Sequence, residues 1–305
     1  MKEKKSLGRL APVFIIAGAS CWGLIGLFTK QLSAAGCSAV QISFLRSFAA
    51  ALILWIFLLI FDREKLKIAL RDVWMFLGTG VLSLVFFSVM YFMTQQQTTL
   101  SVAAVLLYTA PCFVILMSAV FFRERITGRI VAALIIAVAG CVFTTGLASS
   151  LFSGAMGRVP ALGILTGIAS GLGYALYSIF ANVALKKYSS ITVTAYTFLF
   201  AALALLPFCV SGGLFAAVKQ PEVWQSTLGI ALFSTILPYA LYTLGLKYTE
   251  PGKASVMAFS EPVVATLVGV LVFREAMTPG GIAGIVLIFL SIFILNTGKK
   301  KTEAK

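Results

Sequence analysis

The sequence predicts an all-α integral membrane protein whose ten transmembrane helices form two inverted five-helix repeats. Three observations lead there: an apolar composition, ten continuous apolar runs of helical length, and a self-match at a shift of about 150 residues. Of 305 residues, 60% are apolar and only 11% are charged, and the mean hydropathy is +1.02. Soluble domains carry roughly 45–50% apolar and roughly 25% charged residues. A soluble fold of this size could not bury the excess, so it must face lipid.

A helix crossing the hydrocarbon core needs about 20 mostly apolar residues. Such runs lie near 11–30, 39–61, 73–93, 99–121 and 128–147, then near 160–184, 191–211, 223–246, 252–273 and 279–297. They are continuous and lack the alternating period of a barrel wall. The first is too long for the apolar region of a cleaved signal peptide and takes part in the repeat, so it is expected to stay as a span. Connections are short, which divides the chain into a first repeat at 1–147, a linker at 148–159 and a second repeat at 160–305. Gln95-Gln96-Gln97-Thr98-Thr99 reads as the cap of the third span followed by a tight turn.

The lysines and arginines orient these spans. One side collects Lys2, Lys4, Lys5, Arg9, Arg63, Lys65, Lys67, Arg71, Arg123, Arg125, Arg129, Lys186, Lys187, Lys247, Lys253, Lys299, Lys300, Lys301 and Lys305. The other side holds Lys30, Arg158, Lys219 and Arg274. Positive residues stay inside, so both termini are expected in the cytoplasm of a protein of the cell membrane. The tail Lys299-Lys300-Lys301 suits anionic cytoplasmic lipid. The net charge of +14 does not indicate nucleic acid, because the basic residues form short clusters between apolar runs and not one basic face.

Several chemistries are excluded. With no histidine there is no Ser-His-Asp triad, histidine base or His-metal site. Cys21, Cys37, Cys112, Cys141 and Cys209 are scattered inside apolar runs and read as small apolar residues. No metal or cofactor is expected. Without a phosphate loop or a large soluble domain, ATP-driven transport would need another subunit.

The repeat is read residue by residue. A shift of 151 carries Pro111 onto Pro262, Phe122-Arg123-Glu124 onto Phe273-Arg274-Glu275, and Thr127 onto Thr278. It also carries Tyr91 onto Tyr242, Thr98 onto Thr249 and Ala103 onto Ala254, while a shift of 150 carries Ala19-Ser20 and Gly23 onto Ala169-Ser170 and Gly173. Five spans per half force the second copy to enter the membrane from the opposite side. Such inverted repeats are a structural basis for alternating access.

Two halves of five spans, each ending P-x(10)-F-R-E-x-x-T, with Ala19-Ser20-Cys21-Trp22-Gly23 in the first span and Arg46-Ser47-Phe48 in the second, resemble the drug/metabolite transporter superfamily, specifically its EamA-type branch. The resemblance covers nearly the whole chain. It implies a secondary transporter, commonly an exporter of amino acids or other small metabolites. It also implies a midplane site lined by the first, third, fourth, sixth, eighth and ninth spans.

Charge deep in a bilayer is costly and marks function. Glu261 falls about nine residues into the ninth span, near mid-membrane, and Arg46 about seven residues into the second, roughly 10 Å deep. A carboxylate there can take a proton from one side and release it to the other; its plainer role is a structural carboxylate paired with Arg46 or with backbone donors. Arg46 could bind a substrate carboxylate, hold a helix contact or snorkel outward. The repeat partner of Glu261 is Ala110, so the halves differ here. Glu124 and Glu275 follow arginines at span ends, where pairing within the loop is expected. Trp22, Tyr91, Tyr108, Tyr174, Tyr177, Tyr239 and Tyr242 are candidate substrate-binding residues, because a hydroxyl in lipid needs a partner and so favours the bundle interior. Such a cavity suits a zwitterionic or neutral amphipathic solute. Pro111, Pro238 and Pro262 each remove a helical N–H and are expected to kink their spans. Gly163, Gly167 and Gly171, and again Gly280 and Gly284, form small-residue faces that let helices approach closely.

The resulting expectation is proton-coupled or exchange-driven export of a small metabolite, with two complete halves sufficing as a monomer. The alternatives are efflux of organic cations or drugs, with Glu261 binding the cation, and an intramembrane enzyme, which the absent histidine disfavours.

Overall fold

A computed structural model describes residues 2–152, 159–209 and 218–297, with side chains from residue 8 onward. Part of the expected linker (153–158), Arg158, the tail lysines 299–301 and 305, and the side chains of Lys2, Lys4 and Lys5 lie outside it. Among the described residues there is no β-strand. Ten helical spans are present: α1a (Lys2–Trp22) and α1b (Ile25–Ala34), α2 (Ala39–Phe61), α3 (Leu70–Gln97), α4a (Leu100–Leu107) and α4b (Ala110–Phe122), and α5 (Gly128–Thr144). The second half holds α6 (Ala161–Ala184), α7 (Ser190–Cys209), α8 (Pro221–Leu246), α9a (Pro251–Met257) and α9b (Ser260–Leu271), and α10 (Pro279–Asn296). Nine of these are long and apolar enough to cross a bilayer, and α5 is a shorter apolar helix. At 1.5 Å per residue its 17 residues reach only about 25 Å. The expected fifth span ran on to 147. Instead Gly146 takes φ +73° and turns the chain into a short helix, Leu147–Phe152, that occupies the start of the expected linker.

Helix starts follow the sequence. The Ser38 hydroxyl accepts from the Gln41 N–H while the Gln41 side chain accepts from the Ser38 N–H, a complete capping box. Thr127 and Thr278, repeat partners, cap α5 and α10 by accepting from the Ile130 and Gly281 N–H groups. Arg123 and Arg274, also partners, lie in the left-handed region at φ 57° and 56°. The following Glu124 and Glu275 N–H groups donate back six residues, to the Ser118 and Gly269 carbonyls. A left-handed residue thus ends each span, and the N–H that follows it satisfies a carbonyl the helix end would leave unpaired. The duplicated Phe-Arg-Glu-x-x-Thr string is therefore a turn that ends one helix and caps the next.

The two halves are interleaved. α1 packs along α8 and against α9, while its partner α6 packs along α3 and against α4. Two bundles result, α3–α4–α6 and α8–α9–α1. The remaining spans pair with their own repeat partners, α2 with α7 and α5 with α10. Small residues make the approaches possible. A Cβ placed on Gly284 would lie 2.6 Å from the Gly140 carbonyl oxygen, and one on Gly140 would lie 2.9 Å from that of Gly284. Gly163, Gly167 and Gly171 seat α6 on Thr98, Leu106 and Thr109. Gly280 has only ordinary contacts, so the expected Gly280/Gly284 face works through Gly284 alone.

The prolines do not kink continuous helices as expected. α4 is interrupted at Tyr108–Thr109 and α9 at Ala258–Phe259, with Pro111 and Pro262 in the first turn of the second segment. Proline lacks an N–H that a first turn leaves unpaired anyway, so it is tolerated there and discourages continuation. Pro238 instead follows a π-helical stretch, Leu232–Ile236, and its partner span α3 carries one at Gly78–Val85. These matched distortions fall at equivalent depths in the two halves; π-segments recur at functional sites.

Candidate functional site

The helix breaks meet at the centre. α1 is broken at Gly23–Leu24, beside the break in α9. A Cβ at Gly23 would lie 2.7 Å from the Glu261 carbonyl oxygen and 2.7 Å from the Val264 Cβ. The Ser260 hydroxyl donates to the Ile16 carbonyl (3.1 Å), binding the two spans above the break. Glu261 thus sits in the first turn of α9b, between the bundles.

Around it the sequence-predicted aromatics come together. Trp22 is 94% buried and contacts Tyr239 at 5.0 Å, Tyr242 at 5.1 Å and Tyr174 at 6.1 Å between ring centroids. Tyr177 meets Tyr239 edge-on at 5.0 Å. Tyr108 packs on Phe259 at the break of α9. Tyr91 joins through Phe87, which lies 5.8 Å from both Tyr91 and Tyr174. Glu261 is within electrostatic reach of Tyr91, Tyr108, Tyr174 and Tyr239.

The Tyr177 hydroxyl hydrogen-bonds Thr243 (2.7 Å) and that of Tyr242 hydrogen-bonds Ser178 (2.8 Å), both fully buried pairs tying α6 to α8. Those two tyrosines are walls. Together with Trp22, Tyr174 and Tyr239 they line a void shared with Ser83 and Phe87, and Tyr108 and Tyr174 line a second one beside Pro111, Ser255 and Phe259. Each void has room for about one water. Tyr174 lines both. Phe87, Phe259, Ser83, Ser178 and Ser255 are neighbours that sequence reasoning missed. Only the position of Phe87, one helical turn from Tyr91, hinted at any of them.

Arg46 and Glu261 face the same region without pairing. The four ion pairs among the described residues are Lys65–Asp62, Lys67–Glu64, Lys187–Asp72 and Lys253–Glu250, all at span ends. Arg46 is near enough for its charge to act on both Glu261 and Tyr239. Its Nε is buried without a partner, as is the Trp22 indole Nε1. Such orphan donors cost free energy unless something accepts from them. No group of three or more metal-ligating side chains occurs among the described residues.

The residues and repeats match known proteins. The EamA-like transporter family model fits residues 9–146 and again 161–297. The chain belongs to the EamA-like transporter family. Its membership is consistent with the drug/metabolite transporter resemblance, and this transporter is a membrane protein with a small-molecule substrate. An uncharacterized transporter of Archaeoglobus fulgidus is 29% identical over 294 residues, covering 94% of this chain and 96% of that protein. The uncharacterized transporter YetK of Bacillus subtilis is 25% identical over 265 residues, covering 85% and 79%. A solved crystal structure matches with a TM-score of 0.79 at 18% identity, over 94% of this chain and 96% of that one, which shows a shared fold.

The expected loop pairing of Glu124 and Glu275 with their neighbouring arginines does not form. Glu124 turns away from Arg123 to the start of α9a, where its Oε2 accepts from the Gly252 N–H at 3.5 Å. Burial and then the nearby Glu250 push its carboxyl above the usual range, opposed by the Gly252 amide, Lys253 and Ser118. Glu275 is exposed and folds back over Gly269 of its own helix.

Proposed function

We propose that this transporter exports an amino acid or a related small metabolite by alternating access, with both termini in the cytoplasm, as a monomer, and with Glu261 coupling transport to protons. The observation that carries the reading is the unpaired Arg46/Glu261 combination at the meeting of three helix breaks, inside an aromatic enclosure between two bundles. A zwitterion answers it. Its carboxylate accepts from Arg46 and the Trp22 indole, its ammonium neutralises Glu261, and its apolar part lies on Tyr174, Tyr239 and Phe87. Rotation of the Tyr174 ring joins the two voids into a space for the solute. Binding at the midplane between inverted repeats, beside broken helices, is the arrangement on which alternating access depends.

The test uses purified protein in liposomes loaded with mixed amino acids and metabolites under a pH gradient. Saturable, gradient-dependent efflux of selected amino acids, lost in Glu261→Gln, is expected. Efflux that ignores the gradient but requires solute outside would make this an exchanger, with Glu261 in a binding role. A second reading, efflux of organic cations, draws on the ring of tyrosines around Glu261, a setting that suits a cation over aromatic faces. In that case an organic cation, and no amino acid, leaves the liposomes.

A further inference from the structure

The repeat makes contacts in one half predict contacts in the other, and at one place the prediction is unmet. On the side bearing the start of α1, α4b packs on α9a, and the Tyr177–Thr243 and Ser178–Tyr242 hydrogen bonds join α6 to α8. The counterpart pair on the opposite side, α4a and α9b, makes no comparable contact among the described residues. Among the described residues the two bundles therefore meet closely towards the start of α1 and much less on the other side.

Glu124 sits at the closed junction, half-buried, with the Gly252 N–H of the opposite bundle donating to it. Its repeat partner Glu275 lies at the parted junction, exposed and turned back on its own helix. The shift of 151 that relates the glutamates carries Ser101 onto Gly252. Ser101, at the start of α4a, now gives its hydroxyl to the Thr145 carbonyl at 2.5 Å. The tyrosine latches have no such counterpart. The positions equivalent to Tyr177, Ser178 and Thr243 are Leu27, Phe28 and Phe92, which cannot hydrogen-bond through their side chains.

We infer that Glu124 and Glu275 are the latches of two opposite gates and engage one at a time: Glu124 on the Gly252 N–H in the state described here, Glu275 on Ser101 in the inverted state. This rests on the alternating-access reading and supplies the residues that hold each closed state. Because a ligand-free equilibrium shifts by the differential stability of its two states, removing either latch biases the protein towards the other.

Native Cys21 and Cys112, both half-buried beside the breaks of α1 and α4, report the bias through labelling by a membrane-impermeant maleimide added to either face of proteoliposomes. Loss of a charge-assisted hydrogen bond predicts a change of about threefold to tenfold in the labelling ratio between the faces. Glu124→Gln should increase labelling from the side of the α1 start, and Glu275→Gln from the opposite side. In a background lacking the native cysteines, a short bifunctional thiol reagent should link Glu124→Cys to Gly252→Cys, and separately Glu275→Cys to Ser101→Cys, each link blocking access from its own side. If wild-type labelling alternates between faces but both glutamine variants match it and the 275/101 pair never links, the latches are wrong and alternating access stands. If labelling never changes face under any condition, both fail.

Discussion

At the scale of single residues, two positions separate packing from polar bonding. A Cβ at Gly23 would meet the backbone of α9 where Glu261 begins its helix, whereas one at Gly26, one turn on, would have no neighbour within 4 Å. Gly23→Ala should therefore destabilise by about 1–3 kcal/mol through overpacking. Gly26→Ala should be neutral or stabilising through helix propensity. Thermal unfolding in detergent reads the difference, and equal melting temperatures would refute the close approach. Tyr177→Phe removes the hydroxyl from the buried bond to Thr243. Interhelical bonds of this kind are worth about 0.6 kcal/mol on average, so a small stability loss is expected, with the fold retained. Residue types alone named Trp22 and the tyrosines, because a polar group in an apolar run must point inward. Which of their hydroxyls would be tied down by hydrogen bonds depended on partners such as Thr243 and Ser178, 66 and 64 residues away.

At the scale of elements, the breaks in α1, α4 and α9 distinguish this bundle from ten plain rods. Pro111→Ala restores an N–H able to donate to the Leu107 carbonyl and so favours a continuous α4. We expect lower transport with unchanged or higher thermal stability, measured side by side in the same proteoliposome preparation. A variant transporting at the wild-type rate would show that the break is not needed. The α5–α10 pair behaves oppositely. Its closeness rests on Gly140 and Gly284, whose added Cβ atoms would meet the facing backbone. Gly284→Ile should sharply lower the yield of folded protein, read by size-exclusion chromatography, while Gly280→Ile is tolerated. Hydropathy located nearly every span to within a few residues, since it depends only on local composition. The breaks in α4 and α9 read as kinks because a proline looks alike in sequence whether it bends a helix or opens its second segment; the break in α1, at Gly23–Leu24, carries no proline to mark it. The end of α5 was misplaced for a similar reason: Gly146 is apolar enough to extend a hydropathy run, yet its positive φ turns the chain.

At the scale of the whole molecule, an even number of spans requires both termini on one face. Thiol labelling of cysteines added at each end should modify both from the same side. Modification from opposite sides would overturn the span count and the inverted repeat together. Composition and order along the chain determined that this is a membrane protein of ten helices, built twice and inverted, and singled out Arg46 and Glu261 as charges within its apolar runs. Those properties follow from local hydrophobicity and from self-similarity, both of which are one-dimensional. The tertiary structure alone decided that the halves interleave into mixed bundles, that Arg46 and Glu261 approach without forming an ion pair, and that Glu124 is engaged while its twin is not. Each of these depends on the distance between segments far apart in the chain, set by close backbone packing and by a pseudo-symmetry that one conformation must break.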